Sequence, residues 1–429
     1  MQLLGKSNIC IHKSEKIKSI ILGLQHTLTM FGSVVLVPKL LGLNISVAIF
    51  MAGLETFIFH LLTKKKVPIF LGSSFEFIPP LIVASELYGM EYALGGIVIC
   101  GIIYLVVAVL VYILGADKII NIFPPVITGS ISIAVGLALS SYAVEMASSN
   151  WLLAVLTFMI ISLINTCCKD FTKLLSITIG LAISYIVAII ISVIGVVPLV
   201  DFSLISEAEW FGFPQFTMAK FNFGATMLIM PYTICAIVDH IGDIVVASAI
   251  CNENFVKDPG IHRTLLGDGL AASISAMFGG PPNATYSENI GVLALTRNFN
   301  PKTLRIAALF ALLLGFVPKV SAFITAIPNG IFGGLSIVLF GTISSMGINQ
   351  FIENKVDLKL PRNVIIVAGV LVLSIGGASI SFHIGTVKFI IEGIGLASIV
   401  GILINIILPG KQNKSIRDGE KERGELNEI

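Results

Sequence analysis

Long apolar runs, broken at short intervals by charged or Gly/Pro-containing stretches, dominate the chain from residue 17 onward. A helix that crosses a bilayer needs about 20 largely apolar residues. On that measure segments fall near 17–37, 45–62, 67–86, 92–114, 119–142, 150–166 and 173–198. A second set falls near 222–247, 264–278, 283–296, 303–326, 328–349, 362–380 and 386–408. Between the sets, 199–221 carries Asp201, Glu207, Glu209, Trp210 and Pro214 and reads as an external amphipathic loop. The pattern predicts an all-α polytopic membrane protein of 14 segments, with 1–16 as an N-terminal arm and 409–429 as a charged tail.

The distribution of positive charge tests this count, because cytoplasmic loops collect Lys and Arg. With the N-terminus inside, the inner loops and the two ends hold 23 of the 27 basic residues. Only Lys39, Lys220, Lys319 and Lys388 fall outside. One span too many or too few would invert every later loop, so both termini are expected in the cytoplasm.

An internal echo divides the chain. Pro124–Ile133 reads PPVITGSISI and Pro328–Ile337 reads PNGIFGGLSI, matching at 5 of 10 positions with an offset of 204. Two units follow, 17–198 and 222–408, of 7 segments each. An odd number of spans forces the second unit into the opposite orientation, an arrangement typical of secondary transporters. In both units the third segment is broken: Val67–Pro80 reads VPIFLGSSFEFIPP and Gly279–Gly291 reads GGPPNATYSENIG. Non-helical backbone at membrane depth must be buried in protein or line a cavity, which makes these two stretches the expected binding region.

Composition narrows the class further. Hydrophobic residues make up 55% of the chain and charged residues 12%, against roughly 25% charged in soluble proteins. No basic stripe with interleaved aromatics supports nucleic-acid binding. The 6 cysteines form no CxxC pair and read as packing residues. No HExxH, GxSxG or metal-spaced His/Cys set is present, so neither an enzyme nor a metal cofactor is expected.

Acids inside spans are costly and mark function by default. Asp239 and Asp243, four residues apart, share one helical face and repel, which suits a group that takes up a proton. Glu288 lies in the second broken segment, and Glu76 in the first is either a further site acid or a cavity-rim residue. Glu55 and His60 share the second segment and read as structural, either paired or facing water. His26, Asp258, His262 and Asp268 also read as structural.

Five stretches resemble the nucleobase–ascorbate transporters: Gln25-His26, LGSSF ending at Phe75, Asp239-His240-Ile241-Gly242, Asp258 to Arg263, and Thr285-Tyr286-Ser287-Glu288-Asn289-Ile290-Gly291. The similarity runs over essentially the whole chain and is strongest to the uracil permease branch. It implies a core domain (segments 1–4 and 8–11), a gate domain (5–7 and 12–14), and short antiparallel strands meeting in segments 3 and 10. It further implies proton-coupled uptake across the cytoplasmic membrane. Asp239 and Glu288 would accept from the ring N–H groups, and backbone at Phe75, Tyr286 and Asn289 would complete the substrate site.

Taken together, the acids make Asp239, Asp243 and Glu288 the proton-coupling candidates, with Gln25, His26, Glu76 and His240 as accessory candidates. Two positions depart from the uracil branch, which usually carries Glu at Asp239 and His at Asp243; purine-type relatives carry Asp at the latter. Glu76 stands where the resembling transporters carry a small residue. The expected function is therefore proton-coupled uracil uptake, with a xanthine or purine permease as the alternative and an anion exchanger of the same architecture less favoured. The proton is the only coupling ion expected. A homodimer through the gate is compatible with the pattern.

Overall fold

A computed structural model describes residues 3–116, 118, 122–384 and 387–409. The tail beyond 409 and part of the fifth expected segment lie outside the described residues.

The chain is mainly helical. Helix α1 (Leu3–Leu41) is followed by α2 (Ile45–Leu62), strand β1 (Leu71–Ser73), α3 (Ile78–Tyr88) and α4 (Met90–Leu114). Then come α5 (Pro125–Ala138), α6 (Ser140–Ser148), α7 (Trp151–Cys167), α8 (Asp170–Leu174) and α9 (Ser176–Ile194). After the short α10 (Phe202–Glu207), the chain forms α11 (Phe223–Ile229), α12 (Thr233–Cys251), α13 (Ile261–Met277), strand β2 (Asn283–Thr285) and α14 (Ser287–Thr296). It ends with α15 (Pro301–Gly315), α16 (Pro318–Thr325), α17 (Asn329–Glu353), α18 (Pro361–Ile375), the hairpin β3 (Ser379–Ile384) and β4 (Val387–Glu392), and α19 (Gly393–Ile407). Among the described residues, 7 helices are long and apolar enough to cross a membrane, and 4 more apolar helices are shorter.

Three details depart from the segment reading. The stretch 303–326 bends by 83° between α15 and α16, where Pro318 at a helix start follows Gly315. The adjoining ends of the segments expected at 362–380 and 386–408 form the β3–β4 hairpin instead. Its six registered pairs run from Ser379 with Glu392 to Ile384 with Val387. A two-state hydropathy scan misses this because β-branched and aromatic strand residues are as apolar as helical ones. The fifth segment spans Pro125–Ser148, past its expected end at 142, with a turn at Leu139 between α5 and α6.

Helices from the two halves pack on each other. α2 and α4 lie against α15 and α13, while α5 lies against α17 and α18. The α5–α17 contact joins the two helices that begin with the echoing motifs, and small residues bring the backbones together. A Cβ on Gly347 would stand 2.5 Å from the Gly129 carbonyl oxygen, closer than any side chain tolerates, which is how glycine drives helix association in lipid. On the periphery, α7 and α9 turn Leu152, Val155, Leu163, Ile186, Ile190, Val193 and Ile194 outward, a surface suited to acyl chains rather than water.

Candidate functional site

The broken segments meet at the centre. β1 and β2 pair antiparallel, with Leu71 opposite Thr285, Gly72 opposite Ala284 and Ser73 opposite Asn283. Two flanking backbone bonds extend the ladder: Tyr286 N–H to the Phe70 carbonyl at 3.1 Å and Ser74 N–H to the Pro282 carbonyl at 2.8 Å. Each strand runs straight into a half-helix, β1 into α3 and β2 into α14. Their first-turn N–H groups have no intrahelical acceptors and present partial positive charge to the centre. Among the described residues the Phe75 N–H makes no hydrogen bond.

Close packing fixes this crossing. The Tyr286 ring lies over Gly72, where a Cβ would stand 2.5 Å from the ring carbons. Polar side chains tie the strands to their neighbours. Thr56 Oγ1 of α2 accepts from the Leu71 N–H at 2.9 Å. Asn283 Nδ2 donates to Glu55 Oε2 at 2.5 Å, and Thr285 Oγ1 donates to Asp243 Oδ2 at 2.9 Å. Glu55 and His60 are both fully buried but are not a pair. His60 Nε2 instead meets the Ile69 carbonyl at 3.0 Å. The carboxylate of Glu55 thus serves the strand crossing, a role its sequence neighbours do not disclose.

Around this crossing the structure gathers most of the expected site residues. Asp239 and Asp243 lie on one face of α12, and Asp239 shares its electrostatic surroundings with Glu76, Asp243 and Glu288. Glu76 and Asp243 are buried, whereas Asp239 and Glu288 are half-buried. Ser33 of α1 donates to Glu288 Oε1 at 3.1 Å, a contact missed by sequence reasoning. The signal was available: Ser33 is seven residues beyond His26 and therefore on the same helical face. The Phe75 ring meets Phe340 of α17 edge-on, with centroids 5.8 Å apart.

Other expected residues lie away from the acids. His240 turns aside: its Nε2 meets Thr264 Oγ1 at 3.0 Å and its Nδ1 lies 3.2 Å from Asp268 Oδ2. His26 is buried against Asn289. The Gln25 Nε2 is buried without a hydrogen-bond partner among the described residues. An unpartnered buried amide is expensive, so this group marks unused bonding capacity on α1. In the loop that opens α13, Asp258 pairs with Lys66, and this ion pair holds its carboxyl below the usual range.

The accessible surface has a direction. Along α12 the exposed side continues from Asp239 through Gly242 and Val246 to Ala249, and along α14 from Glu288 through Gly291 to Leu295. Both tracks run towards the end that bears Lys257 and Arg297.

The Permease family model (Xan_ur_permease) matches residues 17–383. The chain belongs to this family. Among similar curated proteins, the probable uracil permease of Pasteurella multocida is 37% identical over 410 residues, covering 94% of this chain and 96% of that protein. The uracil permease of Bacillus caldolyticus is 38% identical over 407 residues, covering 91% and 92%. These relatives are named permeases, not enzymes. In fold, the permease is similar to the transmembrane domain of a cyanobacterium bicarbonate transporter, BicA. The TM-score is 0.60 at 14% identity, over 90% of this chain and 96% of that one. It is a multi-pass membrane permease.

Proposed function

We infer that this permease carries uracil into the cell, driven by the proton gradient, by alternating access. The observation that carries the reading is the convergence of Asp239, Asp243, Glu76 and Glu288 on a strand crossing whose Phe75 N–H is free. Uracil alternates ring N–H donors with carbonyl acceptors, and carboxylates beside free backbone N–H groups complement that edge. In this reading Asp239 and Glu288 accept from the ring N–H groups, while backbone of Phe75, Tyr286 and Asn289 serves the rest of the ring. Protonation among Asp239, Asp243 and Glu288 supplies the coupling. The names of the relatives at 37% and 38% identity support the substrate.

The same reading assigns 14 segments in two inverted repeats, 17–198 and 222–408. The antiparallel β1–β2 pair, with one strand and one half-helix from each repeat, supports it. So does the packing of the echoing helices α5 and α17. Core and gate would then meet along Phe75 and Phe340, with both termini in the cytoplasm and any dimer formed through the gate. The accessible tracks beside Asp239 and Glu288 lead to the Lys257–Arg297 end, so this conformation is read as inward-facing in the cytoplasmic membrane.

A second reading, a xanthine or purine permease, is favoured only by Asp243, which matches purine-type relatives. Uptake of radiolabelled uracil into proteoliposomes, with and without an inward proton gradient, tests the first. Gradient-stimulated accumulation is expected. Strong competition by unlabelled xanthine, with weak uptake of uracil itself, would favour the second.

A further inference from the structure

The side chains gathered at the strand crossing are rich in acceptors. Asp239, Asp243, Glu76 and Glu288 all end in carboxyls, which suits the ring N–H groups of a uracil but not its carbonyl oxygens. Those need donors. The Phe75 N–H is one, and the opposite wall, built from α5 and α17, carries another in Gln350.

Gln350 lies in the last turn of α17 and is half-buried. Its Oε1 accepts from the Thr128 hydroxyl of α5 at 2.8 Å. The same hydroxyl stands 3.5 Å from the Pro125 carbonyl, too long to compete for the proton. The two helices touch at this level. A Cβ on Gly129 would stand 2.4 Å from the Phe351 ring, and one on Gly347 would stand 2.5 Å from the Gly129 carbonyl oxygen. Thr128 and Gln350 are the chain neighbours of Gly129 and Phe351, so this close approach sets the amide against the hydroxyl. With Oε1 engaged, the amide turns its Nε2 the other way, and among the described residues Nε2 makes no hydrogen bond. It faces α12. A Cβ on Gly242 would stand 3.8 Å from it, and glycine leaves that space clear. Gly242 is the position after Asp239 on the accessible track, three residues and so about one helical turn further along. A free N–H donor thus overlooks the track that starts at the acids.

We propose that Gln350 is a substrate ligand supplied by the wall opposite the acids: its Nε2 donates to one ring carbonyl oxygen of uracil, and Thr128 is the positioning residue that aims it. The proposal rests on the uracil reading above and deepens it. Asp239 and Gln350 stand on different walls, so one uracil can bridge them only while the walls are placed as here. The bond therefore favours this one state of the transport cycle, as any ligand favours the state it binds better. It also bears on specificity. A ring that carries an amino group in place of that carbonyl brings donor against donor and is rejected.

The test is equilibrium binding of radiolabelled uracil to the purified full-length protein, with 2-thiouracil and 4-thiouracil as competitors. Gln350→Leu should weaken uracil binding about three- to tenfold, the worth of one neutral hydrogen bond. Thr128→Val should weaken it less, and Thr128→Ser, which keeps the hydroxyl, should restore it. Sulfur accepts hydrogen bonds poorly, so the wild type should discriminate against both thio analogues. In Gln350→Leu the discrimination should vanish at one ring position and persist at the other. Gln350→Met, similar in reach and without a donor, gives the same readout if leucine disturbs folding. Weaker binding of all three ligands by one common factor makes Gln350 structural and overturns the proposal, as does unchanged affinity. A wild type that binds no uracil sinks the uracil reading and this assignment together. A wild type that binds uracil while Gln350→Leu keeps both thio penalties refutes the Gln350 assignment alone.

Discussion

The two strand crossings have the same plan but different contents. The first, β1 into α3, is held mostly through backbone: Thr56 caps the Leu71 N–H, and His60 meets the Ile69 carbonyl. The second, β2 into α14, is held through side chains. Asn283 reaches Glu55, Thr285 reaches Asp243, and Glu288 takes the Ser33 hydroxyl. Apart from Glu76 and the Phe75 ring, the first crossing supplies the centre with geometry and with the Phe75 N–H, unbonded among the described residues. The second supplies chemistry. On the proposed function the first broken segment acts as scaffold and the second reads the substrate, and that division predicts that mutations in the two fail differently.

The largest effect should come from the reading half. Glu288→Ala removes the carboxylate to which the proposed function gives a substrate ring N–H, a charged bond worth about 1.5–3 kcal/mol. Uracil uptake should fall on the order of 100-fold, with thermal stability little changed. A large loss of stability instead would make Glu288 structural and break the comparison. Next comes Asn283→Leu, which strands the Glu55 carboxyl in a fully buried place at a cost of about 1–3 kcal/mol. Both uptake and melting temperature should drop, because this bond joins the second crossing to the helix that supports the first. Gly72→Ala should cost a similar amount, about 1–3 kcal/mol of overpacking, since Tyr286 cannot leave its buried place over the strand. If Gly72→Ala melts like the wild type, Tyr286 is not clamped as described.

Much of this was legible in the sequence because lipid imposes simple rules. Apolar length gave most helices, and Gly/Pro content in LGSSF and GGPPNATYSEN located the two breaks. The acids Asp239, Asp243 and Glu288 stood out because charge at membrane depth is rare. What escaped depends on distance in space rather than along the chain. The partner of Glu55 is Asn283, 228 residues away, whereas the nearest candidate by sequence was His60. The β3–β4 hairpin escaped because ISFHI and VKFII are as apolar as the helices that flank them. His240 follows Asp239 along the chain, yet adjacent helical residues point about 100° apart, and His240 meets Thr264 and Asp268.

The smallest effect gives the sharpest view of the scaffold half. Thr56 has two bonds: its hydroxyl donates to the Ala52 carbonyl at 2.8 Å and accepts from the Leu71 N–H at 2.9 Å. The first is repeated along many helices and is replaceable, since the Ala52 carbonyl already sits in a helical ladder. The second is not, because Leu71 stands at the end of β1 with that N–H turned away from β2. Thr56→Val keeps the shape and deletes the acceptor, leaving one buried N–H bare at a cost of about 1 kcal/mol. Melting temperature should fall by a few degrees while uracil affinity stays close to wild type, because no substrate-facing group has moved. Hydrogen exchange should locate the change, with faster exchange at Leu71 and Gly72 and none at Thr285. Equal loosening of both strands would mean that the crossing behaves as one unit, and that the scaffold and the reader are not separable.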